Sequence, residues 1–397
     1  MGRLIASRLF VATTLAATIV GCNALLVHYE DGYSGSGASS ATGGHGGETT
    51  SSGGSGGHIG GDAGGGDADA GADPGHTIWA RGFGDPTFDE SVNAVAVGPQ
   101  DHIFITGRAE KADIFGCSVL GGDGGAGTTG YLVELDPADG KCLWSYFFGA
   151  DAEGTAVAVD SGGQVVLAGT FRGDLTIDPS WTMTATAADA FIAQFDVQHK
   201  LRWVRLVTDS GGLGDQKVTA VAINADKIAV AGTYTKPLRI MGPPPVTNVD
   251  IPGTPDDIDS FVLLFDSLGA YQNVLTVSST GTTFPQSVTG IAMRATDGAF
   301  AVTGTTRGPT KFNGVLVNAS NDENVFLGAY QFDKTELGKL VLGDTQTQYG
   351  RRVAFDSQND IVVTGDFLGV VFAAGQGSDA GLSVSNTGGT DVLLARY

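Results

Sequence analysis

Ala156-Val-Ala-Val-Asp160, Ser161-Gly-Gly163, Val165-Val-Leu-Ala-Gly169 and Asp189-Ala-Phe-Ile-Ala-Gln-Phe-Asp196 decide how this chain folds. Each apolar run is four to eight residues long, rich in Val, Ile and Phe, and bounded by Asp, Ser or Gly, which is how short strands and tight turns read. The middle run recurs as Ile103-Phe-Ile-Thr-Gly107, Ile228-Ala-Val-Ala-Gly232, Phe300-Ala-Val-Thr-Gly304 and Ile361-Val-Val-Thr-Gly365, with its closing glycines 62, 63, 72 and 61 residues apart. A shorter β-type run precedes each copy, from Val92, Thr155, Val218, Val288 and Arg352. A third run follows, from Tyr131, Asp189, Asp259, Val325 and Asp391, and a fourth comes after a tight turn, as in Lys141 to Phe148 and Leu201 to Val207.

Five copies of four antiparallel strands without helical periodicity read as an all-β, five-bladed β-propeller over residues 78–397. With strands a to d counted outward from the axis, the array opens on a lone d-type run, Ile78 to Phe83, and stops at Tyr397 on a c strand. The surplus at one end matches the deficit at the other. Pairing Ile78–Phe83 beside Asp391–Tyr397 is therefore expected to complete blade five and close the ring, with Trp79 largely buried.

The motifs resemble the bacterial β-propeller repeat (SBBP) family. Its unit joins a Trp-containing strand to Ala-Val-Ala-Val-Asp, Val-Val-Thr-Gly and Asp-Ala-Phe strands. Trp144-Ser-Tyr-Phe-Phe-Gly149, Ala156 to Asp160, Val166 to Gly169 and Asp189 to Asp196 match that unit here. The resemblance implies a displayed lipoprotein carrying a propeller and implies no reaction. A second likeness, Leu135-Asp-Pro-Ala-Asp-Gly-Lys-Cys-Leu-Trp144, is to the repeat of quinoprotein dehydrogenase propellers, but one copy alone keeps it. The better reading is a glycine-turned hairpin.

The N-terminus reads as an address. Arg3 and Arg8 precede an apolar run, Leu9 to Val20, that is too short to span a bilayer comfortably. It ends Ile19-Val20-Gly21-Cys22, which resembles a lipobox and makes Cys22 the expected lipid attachment residue after removal of a signal peptide, residues 1–21. Residues 22–77 then read as a disordered tether, since 31–76 hold 18 glycines and no Lys or Arg. The protein is expected to reach the membrane through its lipid alone, as a monomer in the cell envelope, facing the periplasm or the cell surface from the outer membrane.

The chain of 397 residues carries 22 Lys and Arg against 43 Asp and Glu, a net charge of −21. That balance argues against nucleic acid as a partner, which requires clustered cations. Three cysteines exclude a disulfide-dense scaffold. Cys117 and Cys142 lie in an exported segment, which favours a bridge, yet the topology starts them near opposite faces of blade one. Both readings stand at this level.

No catalytic motif, metal site or cofactor is expected. His102 and His199 are the two histidines of the propeller and fall in separate turns. The recurring Asp189, Asp259 and Asp391 open strand c, where a carboxylate caps the turn. Asp256, Asp257 and Asp259 are the densest acidic group and the weak calcium candidates. The b–c connections are long in every blade and share one face with the d–a connections. A binding or structural module, taking a protein or glycan on that face, is the expected function. A carbohydrate-active enzyme working through paired carboxylates, or a quinone-type propeller enzyme, is the alternative.

Overall fold

The structure, a computed structural model, describes residues 77–397 apart from 111–113, 118, 121–127, 210, 212–213, 244–247, 252–257, 280–283, 318–321, 374–381 and 387. The expected signal segment, Cys22 and nearly all of the tether lie outside the described residues, as do Asp256 and Asp257. Five antiparallel sheets follow one another along the chain as the blades of a β-propeller. Their inner strands are Glu90–Val97, Ala152–Val159, Gln216–Asn224, Ser287–Met293 and Gln348–Phe355.

Every inner strand carries one β-bulge at the same place, at Asn93, Thr155, Thr219, Thr289 and Arg351. The bulge swings the strand against the glycine of the Thr-Gly or Ala-Gly motif. A Cβ on Gly107, Gly169, Gly232, Gly304 or Gly365 would sit 1.9–2.3 Å from a backbone oxygen of strand a. That close approach explains why the closing glycine recurs. In three of the five blades the bulge side chain also staples the next blade: Asn93 Nδ2 donates to Gly154 O, Thr219 Oγ1 to Val288 O and Thr289 Oγ1 to Gly350 O. Thr155 and Arg351 instead bond within their own blades, to Ala168 O and Asp366.

Asp160, Asp196, Asp266 and Asp356 close the tight turns, each accepting the N–H groups two and four residues on. The blades stack face to face, and Leu167, Phe191 and Val204 on one face of blade two and Val166, Ile192 and Val207 on its other face are fully buried. Such two-sided burial is why strands b and c read as unbroken apolar runs.

Two of the long b–c connections fold as straps across the preceding blade, while those of blades two and five form hairpins of their own. Leu238–Met241 of blade three pairs with the outer strand of blade two, and Thr310–Phe312 of blade four pairs with that of blade three. Blades two and three thereby reach six strands against the expected four. Blade one differs: Val119–Leu120 runs parallel to its own outer strand, at Ser145–Tyr146.

The expected closure is corrected at the end of the array. Among the described residues the last sheet has three strands, ordered Gln348–Phe355, Ile361–Phe367 and Asp391–Arg396, with no fourth beside Asp391–Arg396. Val392 and Leu394 are exposed on it. Residues 77–85 form no strand. Instead Trp79 Nε1 donates to Pro137 O at 2.8 Å, and Arg81 Nε donates to Asp139 O, both in the c–d turn of blade one. Trp203 and Arg205, on the outer strand of blade two, hold the c–d turn of blade three in the same way, through Ser267 O and Gly269 O. Residues 79–81 thus take the place of an outer strand preceding blade one, docked through side chains and without a ladder. Trp79 is half-buried and not the core residue expected.

Candidate functional site

Two depressions lie on opposite faces of the blades. On the face of the b–c and d–a connections, a pocket of about 210 Å³ opens where blades one, two and three meet. Arg108 lies one residue from the end of strand b of blade one, Arg172 within the long strand b of blade two just before Gly173, and Lys217 at the start of the inner strand of blade three; all three line it. Arg172 stands 3.8 Å from Asp215. Asp151 comes from the d–a turn and Glu153 from the start of the inner strand of blade two, where its Oε1 accepts from Thr170 Oγ1. Asp151 has a left-handed backbone (φ 54°), held by Asp151 N to Thr128 O and by Arg172 N to Asp151 O. The pocket thus gathers three cations beside the carboxylates of Asp151 and Glu153.

On the tight-turn face, a cavity of about 230 Å³ lies between blades one and two. His102 arrives on the a–b turn of blade one, His199 on the c–d turn of blade two, and Glu134 near the end of strand c of blade one. His102 Nδ1 is 2.6 Å from Glu134 Oε1, and His199 Nε2 is 2.5 Å from Oε2. Glu134 is 7% exposed, while the imidazole side chains are 31% and 29% exposed. Burial alone would push the Glu134 carboxyl up, but the hydrogen bonds to His199 and His102 outweigh it and hold the group below the usual range.

His199 has φ 63°, the left-handed turn position that Gly140 and Gly269 fill in blades one and three. In those blades the tryptophan preceding the turn packs over the glycine: a Cβ there would lie 2.6 Å from the Trp79 ring or 2.5 Å from that of Trp203. At His199 the imidazole itself stacks under Trp144, with ring centroids 4.5 Å apart and planes 11° from parallel. Trp79 and Trp203 donate to a turn carbonyl, whereas Trp144 Nε1 is buried with no partner.

Sequence reading placed the two histidines in separate turns and did not see that both reach one carboxylate. A signal was present. Glu134 faces Phe104 across the sheet, and the same register position holds Gln194, Leu264 and Ala329 in blades two to four. An acid in a slot that is apolar in two of its repeats is a departure to notice.

Cys117 and Cys142 are joined in a disulfide, made possible because the b–c excursion of blade one folds down its own outer edge. Asp189 Oδ2 accepts from Thr208 Oγ1 at 2.8 Å, and Asp259 Oδ1 from the Ser279 N–H at 3.2 Å, so both tie strand c to strand d. Among the described residues no three or more His, Cys, Asp or Glu side chains are grouped to hold a metal ion. Also among the described residues, no helix is long and apolar enough to cross a membrane. No protein-family model and no curated protein matches the chain. The class that the fold defines is the β-propeller.

Proposed function

We propose that this protein is a binding module: a β-propeller held at the cell envelope by lipid on Cys22, taking a protein or glycan ligand at the pocket where blades one to three meet. The observation that carries this reading is the convergence of Arg108, Arg172 and Lys217 on one pocket of a chain whose net charge is −21. The straps buttress the outer blade edges. That leaves the inner mouth of the same face for recognition. The lipobox-like Ile19 to Cys22 supports anchoring in the outer membrane, facing the periplasm or the surface.

The test is binding of envelope glycans and envelope proteins to the full-length protein in detergent micelles, compared with an Arg108→Ala/Lys217→Ala variant. Saturable binding that weakens at least tenfold in the variant is expected. Equal binding by both proteins refutes the site. A second reading rests on Asp151 and Glu153, two carboxylates beside the cations in the same pocket. It makes the protein a carbohydrate-active enzyme, and release of reducing sugar ends that stops in Glu153→Gln would favour it.

A further inference from the structure

We propose that two copies of this protein pair through blade five, the strand Asp391–Arg396 of each running antiparallel to the other across a two-fold axis. The chain covers the corresponding strand in every other blade. Leu394 stands opposite Thr364, and the same register position holds Leu132, Ile192, Val262 and Leu327 in blades one to four. Those four side chains are 0–3% exposed, each packed against the blade that follows it. Leu394 is 61% exposed and its neighbour Val392 77%. Among the described residues Gln348–Phe355 packs on Ser287–Met293 of blade four and has no comparable packing on Glu90–Val97 of blade one. Blade one is covered on that side by its own excursion. Phe115 packs there with Phe83 and Tyr131 beside the Cys117–Cys142 disulfide, and Val95 and Val97 of the inner strand stay exposed.

The backbone of this strand is open along its outer edge. Ile361 and Tyr397 exchange both backbone hydrogen bonds, at 2.7 and 2.8 Å. The ladder therefore uses the odd-numbered residues of strand c, and the N–H and C=O groups of Val392, Leu394 and Arg396 point away from strand b. In blades one to four that side of strand c carries strand d. A second copy suits this edge because it brings the same groups in matching order. Antiparallel registers between two copies set outward-pointing residues against each other, and the one centred on Leu393 puts Val392 beside Leu394 of the second copy, twice over. The antiparallel sense also brings the Asp391 end of each strand to the Arg396 end of the other, where a parallel pairing would set like charges together. Arg396 keeps its partners Asp356 and Asp360 within its own blade. The product is one six-stranded sheet, three strands from each copy. A two-fold contact of this kind closes on itself and leaves neither edge to recruit a further chain. The protein is then a dimer and not the monomer expected from its sequence.

The test uses full-length protein in detergent micelles matched to the solvent density, so that sedimentation velocity reads the protein alone. The natural protein should sediment as a dimer that dissociates on dilution. Leu394→Pro removes an N–H that the ladder of blade five does not use. Val392→Lys/Leu394→Lys sets like charges across the two-fold axis. Each change should weaken association at least tenfold. Val315→Lys/Leu316→Lys alters two exposed apolar residues on the excursion of blade four and should leave the dimer intact. Thermal midpoints taken at a dilution where every protein is monomeric should agree within a few degrees, which separates lost pairing from unfolding. A natural protein that is monomeric at every concentration would overturn the pairing, and slow hydrogen exchange at Val392 and Leu394 in that monomer would show that the chain covers its own edge. A dimer that survives both edge variants, or one lost equally in the blade-four control, would overturn it too.

Discussion

Truncating Trp79 to Ala measures how much the N-terminal segment contributes to blade one. Truncating a fully buried Trp or Phe to Ala costs about 3–5 kcal/mol. Trp79 is half-buried, so about half of that applies, and loss of the hydrogen bond to Pro137 O adds about 1 kcal/mol. The total is about 2.5–3.5 kcal/mol. Trp203, 7% exposed and bonded to both Gln194 and Ser267, should cost the full 3–5 kcal/mol plus its hydrogen bonds. For a domain of this size each kcal/mol moves the midpoint by about 2–4 °C or less. Trp79→Ala should therefore lower it by several degrees and Trp203→Ala by roughly twice as much. Near-ultraviolet circular dichroism at one fixed scan rate reads both, since large domains unfold irreversibly and the midpoint depends on the rate. Deleting residues 31–70 is the control and should leave the midpoint in place. An unchanged midpoint for Trp79→Ala would show that residues 79–81 do not dock on the c–d turn. A loss equal to that of Trp203→Ala would show that the segment is as deeply built in as a blade strand.

Gly169→Ala should destabilise severely or prevent folding, because its Cβ would lie 2.2 Å from Glu153 O and 2.6 Å from the Phe191 ring. Gly338→Ala, with nothing within 4 Å, should leave the thermal midpoint unchanged. Burial raises the Asp189 carboxyl to about 6, with Thr208 opposing and the charges of Asp209 and Asp215 adding to the rise. The folded state therefore binds this proton more tightly than the unfolded chain, so its contribution to stability grows as pH falls from about 7 to about 4. In urea titrations Asp189→Asn should gain stability relative to the natural protein at pH 7 and lose that advantage near pH 4; a constant difference across the range would be inconsistent with the shift. Replacing Cys117 and Cys142 by Ser opens a loop of 25 residues and should cost at most about 3–4 kcal/mol, read as a lower urea midpoint. Mass spectrometry of the natural protein without reductant should find no free thiol at either position. Cys22→Ser should abolish detergent-phase partitioning, and unchanged partitioning would remove the anchor.

The repeat, the strand types and the blade count were legible in the sequence because each rests on local chemistry. Val- and Ile-rich runs need two covered faces, Asp196 and Asp266 close their own turns, and the recurring glycines admit no side chain against the bulge. Glycines such as Gly169 could be recognised by their period before anything showed what they touch. What the chain order could not convey is contact between blades. His102, Glu134 and His199 are separated by 32 and 65 residues and meet only because adjacent blades set their turns side by side. The cationic pocket likewise draws Arg108, Arg172 and Lys217 from three blades. The disulfide depended on an excursion turning down its own blade, and the place of Trp79 on its contact with the c–d turn of blade one. Local hydrogen bonding and hydrophobic periodicity act over a few residues and determine the repeat. The sites are fixed by how rigid repeats pack against one another, which only the tertiary structure decided.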